Sequence, residues 1–420
     1  MVSAPSVWVE RGSAAYGRVS LGLFAAGFAT FSLLYCTQPL LPAFARDFRV
    51  GAAESSLALS LTTGFLALAI VGAGALSEAV GRRIVMLVSI CAAAMLNIAA
   101  GLASDWHVLL VARALEGLAL GGVPAVAMAY LAEEIDPRAL GRAMGLYVAG
   151  NAFGGLMGRV AAGMLTQWGS WRAALTAIGA VDLVVAVTFF ALLPASRNFT
   201  PRAGLDPAFH LAAWKRHLAH GGLWSLFLIG FLAMGAFVTV YNYAGFRLAA
   251  RPYGLSQSQT SLIFVVYLLG MAASSLAGAL ADRLGRGAVL LAGTAVGLAG
   301  VGLTLLVPLP AVIGGIAVVT IGFFMAHSVA SGWVGARARV APAQASALYL
   351  CLYYIGSSVA GSAGGVFWAR GGWPAVVVFA VVLLAVALGC ALSLVTRRPR
   401  SSRPGAAARH QADSPAGVAG

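Results

Sequence analysis

GALADRLGRG, residues 278–287, lies between two long apolar runs and places three charged side chains in a very short connection. A second copy, GALSEAVGRR, occupies residues 74–83. The acidic positions of the two copies, Asp282 and Glu78, are separated by about half of the 420-residue chain. A charged turn that recurs at half-length in an apolar chain predicts two similar membrane bundles joined in tandem.

The composition places the chain in a membrane. Apolar residues make up 60% of it and charged residues only 10%, whereas a soluble domain carries about 25% charged residues. A spanning helix needs about 20 apolar residues. We therefore predict an all-α membrane protein of twelve transmembrane helices in two pseudo-symmetric six-helix bundles. The expected spans are residues 19–43, 55–79, 84–103, 106–132, 139–165, 172–194, 221–247, 258–281, 288–307, 310–334, 343–368 and 373–395.

The distribution of positive charge orients these spans. Roughly three quarters of the loop arginines and the lysine fall on one side, which the positive-inside rule makes cytoplasmic. Both termini are then cytoplasmic in a multi-pass protein of the bacterial inner membrane. The net charge of +14 is assigned to topology and to anionic lipid, not to nucleic acid. The expected divisions are a cytoplasmic segment 1–18, bundles 19–195 and 221–395, a cytoplasmic linker 196–220 and a disordered basic tail 396–420.

The spacing Gly-x3-[Asp/Glu]-x2-Gly-Arg resembles the signature loop of the major facilitator superfamily, which joins the second and third helices of each half. The first copy departs from that pattern with Glu78 and Ala79 in place of the usual Asp and Arg. The resemblance implies cytoplasmic gate loops that latch in one state of the transporter, and we expect Glu78 to act with Arg82, and Asp282 and Arg283 to act with Arg286. The gate residues so implied are Gly74, Glu78, Gly81, Arg82, Gly278, Asp282, Arg283, Gly285 and Arg286.

A wider pattern includes YCTQPLLP at 35–42, Gly158-Arg159 and His327-Ser328. It resembles the YnfM-type subgroup of bacterial inner-membrane transporters over nearly all of residues 20–395. That subgroup is grouped with sugar and drug exporters, so the resemblance implies transport without naming a cargo.

Charged side chains within the spans predict the coupling site, since each costs roughly 2.5–3.5 kcal/mol at bilayer depth on insertion scales. Arg113 and Glu116 share a helix face, and Arg-x-x-x-Gly here resembles a second superfamily motif used near the translocation path by proton-coupled members. Glu116 is the first expected proton carrier and Asp182 the second, with a structural clamp and a packing partner as the alternatives. His327 titrates near neutral pH or is a core histidine.

Polar residues near the helix ends predict the substrate cavity. Gln38 is the candidate in the first half, and Asn242 and Tyr243 are those in the second; hydrogen-bonding side chains flanked by rings suit a neutral or zwitterionic solute. Arg113, within the fourth span, is expected near the same cavity. An interfacial aromatic belt is the alternative for the tyrosine. Arg159 either extends to the membrane surface or captures an anionic or polyhydroxy substrate.

No catalytic, nucleotide-binding or metal-ligating constellation appears, so we expect neither an enzyme nor a cofactor. The predicted function is proton-coupled efflux of a small organic solute by a monomer embedded in lipid, with protons as the second partner. An uptake symporter on the same scaffold and a transport-inactive sensor or scaffold are the alternatives.

Overall fold

The computed structural model describes residues 8–199, 207–338 and 340–396. The basic tail expected from residue 396 onward thus lies outside the described residues, except for Thr396. Across the described residues the chain is helical, and its isolated β-bridge joins Val9 to Ile135. This bridge ties the segment before the first helix to the turn between the fourth and fifth helices.

The first bundle contains six membrane helices. They are α1 (Ala14–Tyr35, continued by the 3-10 turn Gln38–Leu40 and by Leu41–Asp47), α2 (Ala52–Ser55 and Leu57–Val80), α3 (Arg82–Gly101), α4 (Trp106–Leu120 and Pro124–Glu134), α5 (Pro137–Trp168) and α6 (Trp171–Leu192). A helix, Pro207–Ala219, follows in the expected linker.

The second bundle repeats the plan. Its helices are α7 (Gly221–Ala249), α8 (Gln257–Ser261, the 3-10 turn Leu262–Val266 and Tyr267–Leu284), α9 (Arg286–Leu303), α10 (Leu309–Arg337), α11 (342–370) and α12 (373–396). The last two form one continuous run that turns at Gly371 and Gly372, whose backbone angles are not helical.

Twelve spans agree with the predicted fold class. By length and composition, nine helices of the described residues are apolar enough to cross a membrane. One of the nine is the run 342–396, which counts twice because it turns back. The interrupted helix α4 and the helix α5, which carries three arginines, complete the twelve.

The repeated signature loops form the same turn in both halves. Gly81 has φ 107° and ψ 141°, and Gly285 has φ 86° and ψ 145°. A side chain at these angles would be strained, so each copy needs glycine there. The sequence repeat is therefore also a repeat of backbone conformation.

Glycines bring equivalent helix pairs into close contact within each half. A Cβ at Gly154 on α5 would lie 2.6 Å from the Cα of Phe28 on α1, and one at Gly356 on α11 would lie 2.8 Å from the Cα of Phe231 on α7. Small residues on the contact face let two helix backbones approach closely. In lipid, where no hydrophobic effect drives helices together, this close van der Waals packing stabilises the contact.

The core shows how the two halves meet. We call the side with the two signature loops the termini side and the opposite side the far side. On the far side one buried cluster combines both halves, for example Phe44 and Trp106 with Phe237 and Tyr241. On the termini side the halves have separate cores, one drawn from 9–193 and the other from 223–394. The halves are thus joined on the far side, and each packs by itself on the termini side.

Candidate transport site

Arg113 is the centre of a polar network inside the first bundle. Its guanidinium is completely buried and donates to Glu116 at 2.5 Å and to the Asn97 side-chain oxygen at 3.2 Å. It also donates to the carbonyl oxygens of Leu33 and Leu34, where α1 ends. Helix carbonyls at such an end need external donors. Arg113 therefore caps the break in α1 while Glu116 compensates its charge.

The break in α1 has a local cause. Pro39 and Pro42 have no N–H to donate, so the carbonyls four residues before them lose their helical partners. The helix stops at Tyr35 and resumes after the 3-10 turn. One side of this turn faces the Arg113 network, and Gln38 points from it toward the second half.

Acidic groups outnumber basic ones in this network. Asp182 on α6 is also completely buried, interacts with Ser32 and lies near Glu116. Neither of its carboxyl oxygens has a hydrogen bond of normal geometry within the described residues, and Oε1 of Glu116 also has no partner. Buried carboxyl oxygens without donors are costly. The pocket therefore contains more hydrogen-bond acceptors than donors, and protonation of a carboxyl group would add a donor.

Arg159 on α5 begins a series of side-chain hydrogen bonds that joins the two halves. Its Nε donates to Oε1 of Gln38 at 2.7 Å, and Nε2 of Gln38 donates to Oδ1 of Asn242 on α7 at 2.9 Å. Arg159 is only 2% exposed. This burial excludes the alternative in which its guanidinium extends to the membrane surface.

Three aromatic rings surround the Arg159 guanidinium. The ring centre of Tyr35 lies 3.9 Å from its central carbon, that of Tyr267 lies 4.7 Å away and that of Phe264 lies 5.2 Å away. The first ring belongs to α1 and the other two belong to α8, so the cage also crosses between halves. Cation–π contacts stabilise a desolvated guanidinium, but they supply no hydrogen-bond acceptor to its N–H groups.

Further hydrogen bonds close the far side. Gln257 at the start of α8 donates to the carbonyl oxygen of Pro39 at 2.6 Å, and Ser358 on α11 donates to the carbonyl oxygen of Ser60 on α2 at 2.7 Å. At the far end, a Cβ added to Gly365 would overlap Ala53 of α2. The halves are in backbone contact there.

Two expected site residues have other surroundings. The hydroxyl of Tyr243 donates to the carbonyl oxygen of Gly361 at 2.9 Å, so this side chain binds the α11 backbone of its own half. His327 on α10 makes a 2.9 Å hydrogen bond with the hydroxyl of Tyr349 and stacks on Phe323, in the second bundle. Neither residue joins the Arg113 network or the Arg159 chain.

The signature loops differ in their ion pairs. Arg82 pairs with Glu133 at the end of α4, at 2.7 Å, while the expected partner Glu78 lies 4.0 Å away. Within the described residues, no ion pair includes Asp282 or its arginine neighbours in the loop.

The neighbouring Glu134 fastens the linker to the first bundle. It accepts hydrogen bonds from the backbone N–H groups of Arg197 and Asn198, at 2.8 and 2.9 Å. Burial raises the pKa of this carboxyl above its usual range, and the two N–H groups oppose that shift.

Several residues of the site do not emerge from the sequence reasoning. Glu133, Asn97, Phe264 and Tyr267 have no place among the predicted groups. Asn97 was within reach of prediction, because a lone amide within an apolar run needs a polar partner. The aromatic residues of α8 give no such signal, since rings are common in membrane spans.

Two six-helix bundles with a polar site between them define a membrane transporter. The chain belongs to the Major Facilitator Superfamily, whose family model matches residues 23–326 and 240–418. It is 44% identical to the inner membrane transport protein YnfM of Escherichia coli, over 92% of this chain and 93% of that protein. It is 43% identical to the MFS-type transporter YybF of Bacillus subtilis, over 91% and 94%.

The fold also matches a solved transporter. A bacterial homologue of the human lysosomal transporter Spinster, in an inward-facing and occupied conformation, superposes with a TM-score of 0.71 at 17% sequence identity. The match covers 91% of this chain and 97% of that one. The relatives and the fold agree that the chain is a multi-pass transporter and not an enzyme.

Proposed function

We propose that this protein exports a small organic solute by alternating access, in exchange for protons. In this proposal it acts as a monomer in the inner membrane, and the termini side is cytoplasmic. The positive-inside distribution of arginine supports that orientation. A more distant relative, the multidrug resistance protein MdtG of Proteus mirabilis, is 32% identical over 45% of this chain and supports the direction of transport.

The core arrangement supports alternating access. A shared core on the far side and separate cores on the termini side suit a state that is closed outward and open inward. A cleft of about 500 Å³ lies on the termini side between α1 and α5, with Tyr16, Ser20, Arg142 and Gly145 in its lining. The absence of an ion pair at Asp282 in the described residues fits a latch released in this state.

The observation that carries proton coupling is the charge imbalance around Arg113. Two fully buried carboxyl groups share one pocket with a single guanidinium. If both were ionised the pocket would hold an uncompensated negative charge in a medium of low dielectric, which is strongly unfavourable. One proton restores neutrality. Glu116 forms an ion pair with Arg113 and Asp182 forms none in the described residues, so we assign the exchangeable proton to Asp182 and make Glu116 the fixed partner.

The broken helix α1 supplies the connection between proton and solute. Arg113 holds the carbonyl oxygens of Leu33 and Leu34, and Gln38, a few residues later, contacts both Arg159 and Asn242. A change of protonation that shifts Arg113 therefore acts on a segment that also lines the interface between the halves. This mechanical link makes exchange of proton for solute feasible on this scaffold.

Everted membrane vesicles test the proposal. Vesicles with an acid interior are offered hippurate, arabinose and benzyltrimethylammonium, which represent anionic, neutral and cationic solutes. Export predicts that at least one accumulates, that an uncoupler abolishes accumulation, and that Asp182→Asn does the same while retaining solute exchange without a gradient. The control Asp105→Asn changes an exposed helix cap to another good cap and should accumulate normally.

The outcomes separate the alternatives. Accumulation only under an acid-outside gradient would favour the uptake symporter. Binding without movement in either direction would favour the sensor or scaffold. If Asp182→Asn accumulates solute as well as the unmodified protein, while Glu116→Gln does not, the proton assignment is wrong.

A further inference from the structure

Arg159 is a buried cation without an anion. It takes part in none of the ion pairs of the described residues. Its hydrogen bonds go to Gln38 and to the carbonyl oxygen of Gly155, both uncharged, and its Nη2 donates to no partner in the described part of the chain. A desolvated guanidinium ordinarily requires a paired anion. Arg113, which is buried in the same bundle, has one.

The hydrogen-bond chain from Arg159 has a fixed direction. A guanidinium only donates, so Gln38 must turn its oxygen to Arg159 and its NH₂ group to Asn242. Asn242 then accepts with its oxygen, and its own NH₂ group remains without an acceptor. The arginine thus makes the far end of the chain a donor as well.

The aromatic cage adds a third donor. The Tyr267 hydroxyl is buried and has no hydrogen-bond partner in the described residues, although its ring lies over Arg159. Buried polar groups are normally satisfied, so the unpartnered Nη2 of Arg159 on α5 and the unpartnered hydroxyl of Tyr267 on α8 mark a place that lacks acceptors. The Arg113 pocket, on the opposite side of α1, has the reverse imbalance.

We propose that Arg159 and its neighbours bind the carboxylate of a small organic monoanion whose apolar or aromatic body packs against Tyr35, Phe264 and Tyr267. A carboxylate offers the acceptor oxygens and the charge that the guanidinium and the hydroxyl lack. The rings match an apolar body in the way ligand pockets usually do. This inference rests on the proposed transport function and names the class of its solute.

The position of the site suits a transported ligand. The groups around Arg159 come from α1 and α5 of the first half and from α7 and α8 of the second. An anion held between them contacts both moving bodies, so its binding changes the free energy of one state relative to the other. If Arg159 served only to hold the halves together, an uncharged donor would do so without the cost of a buried charge.

Binding to the purified full-length protein tests the inference directly. Thermal-shift and equilibrium binding titrations use hippurate, its neutral amide hippuramide, and benzyltrimethylammonium at a fixed neutral pH. We expect stabilisation by hippurate only. Arg159→Gln should weaken hippurate binding by about ten- to a hundredfold, as expected for loss of a charged hydrogen-bond partner, and Arg159→Lys should retain part of the affinity.

Arg172→Gln is the matched control, because Arg172 is an exposed arginine on the far side that pairs with Asp47. It should bind hippurate like the unmodified protein. A hippurate response no larger than that of hippuramide, including no response, overturns the inference. So does an unchanged hippurate affinity in Arg159→Gln, provided that this variant elutes as a folded monomer.

Flux measurements separate failure of this inference from failure of the proposed function. Proton-driven movement of arabinose or benzyltrimethylammonium, with none of hippurate, would retain the transporter and reject the anion site. Hippurate binding that depends on Arg159, without any flux, would retain the anion site and reject transport. Export of one monoanion in exchange for one proton moves net charge across the membrane. A valinomycin-imposed potential that is negative on the termini side should therefore accelerate hippurate export.

Discussion

Gly365→Ala should shift the conformational equilibrium of this transporter away from the state in which the far sides of the two halves are in contact. Gly365 lies at the far end of α11, where it meets the start of α2 in the other half. A Cβ added there would overlap the Cα and Cβ of Ala53 and would lie 2.6 Å from the Tyr243 hydroxyl oxygen. Ordinary van der Waals contact begins at 3.4 Å, and the backbone of α2 cannot move aside like a flexible side chain. The far sides of the two halves must therefore separate.

The size of the effect follows from the overlap. Insertion of a carbon into a packed site costs typically about 1–3 kcal/mol, and this cost applies only where the far sides touch. The ratio of inward-open to outward-open molecules should then fall by about 5- to 150-fold, since about 1.4 kcal/mol corresponds to a factor of ten.

Gly356→Ala is the matched control. Its added Cβ would lie 2.8 Å from the Cα of Phe231, but α7 and α11 belong to the same half and stay together in both states. Both substitutions should lower the midpoint of thermal unfolding in detergent. Only Gly365→Ala should change the conformational equilibrium.

Cysteine accessibility measures that equilibrium. Gly145→Cys places a thiol in the cleft on the termini side, in a chain whose four native cysteines are changed to alanine. Maleimide labelling at position 145 should slow when Gly365→Ala is added and remain unchanged with Gly356→Ala. Equal labelling rates with all three backgrounds would refute the assignment of the far side as the closed one.

Two further predictions concern the ion pairs. Arg113→Met should destabilise the protein by about 3–5 kcal/mol because it leaves Glu116 buried without its partner. The double substitution Arg113→Met/Glu116→Met should recover most of that loss. Thermal unfolding in detergent compares the variants, and equal midpoints for the single and the double variant would contradict the pairing. Glu133→Gln should lower the unfolding midpoint more than Glu78→Gln, because Arg82 lies 2.7 Å from the first acid and 4.0 Å from the second. The reverse order would show that the Glu78–Arg82 pair predicted from the sequence is the stronger one.

The predicted features that the structure confirms depend on residues that are close together in the sequence. The length of an apolar run, the prolines of α1 and the glycines of the repeated turns act within a few residues of the chain. Gly81 and Gly285 illustrate this, because their positive φ angles follow from the turn itself. The helix spans and the doubled bundle accordingly follow from the residues in order, and Pro39 and Pro42 give the local reason for the break in α1.

The site is different, because its partners are far apart in the chain. Gln38 and Asn242 are separated by 204 positions, and Arg159 and Gln38 by 121. Each of these side chains stands out singly in the sequence, yet the order of residues does not show that a donor-only arginine orients the whole chain of hydrogen bonds.

Sequence alone thus determined that this protein is a duplicated twelve-helix membrane transporter scaffold with a few charges inside. Only the tertiary structure decided which distant charges meet: Arg82 lies closer to Glu133 than to its neighbour Glu78, while Asp182 and Arg159 have no charged partner in the described residues. The physical reason is that hydropathy and turn conformation are properties of local segments. Pairing in a low-dielectric interior depends instead on distances of a few ångströms, which are set by how separate helices pack.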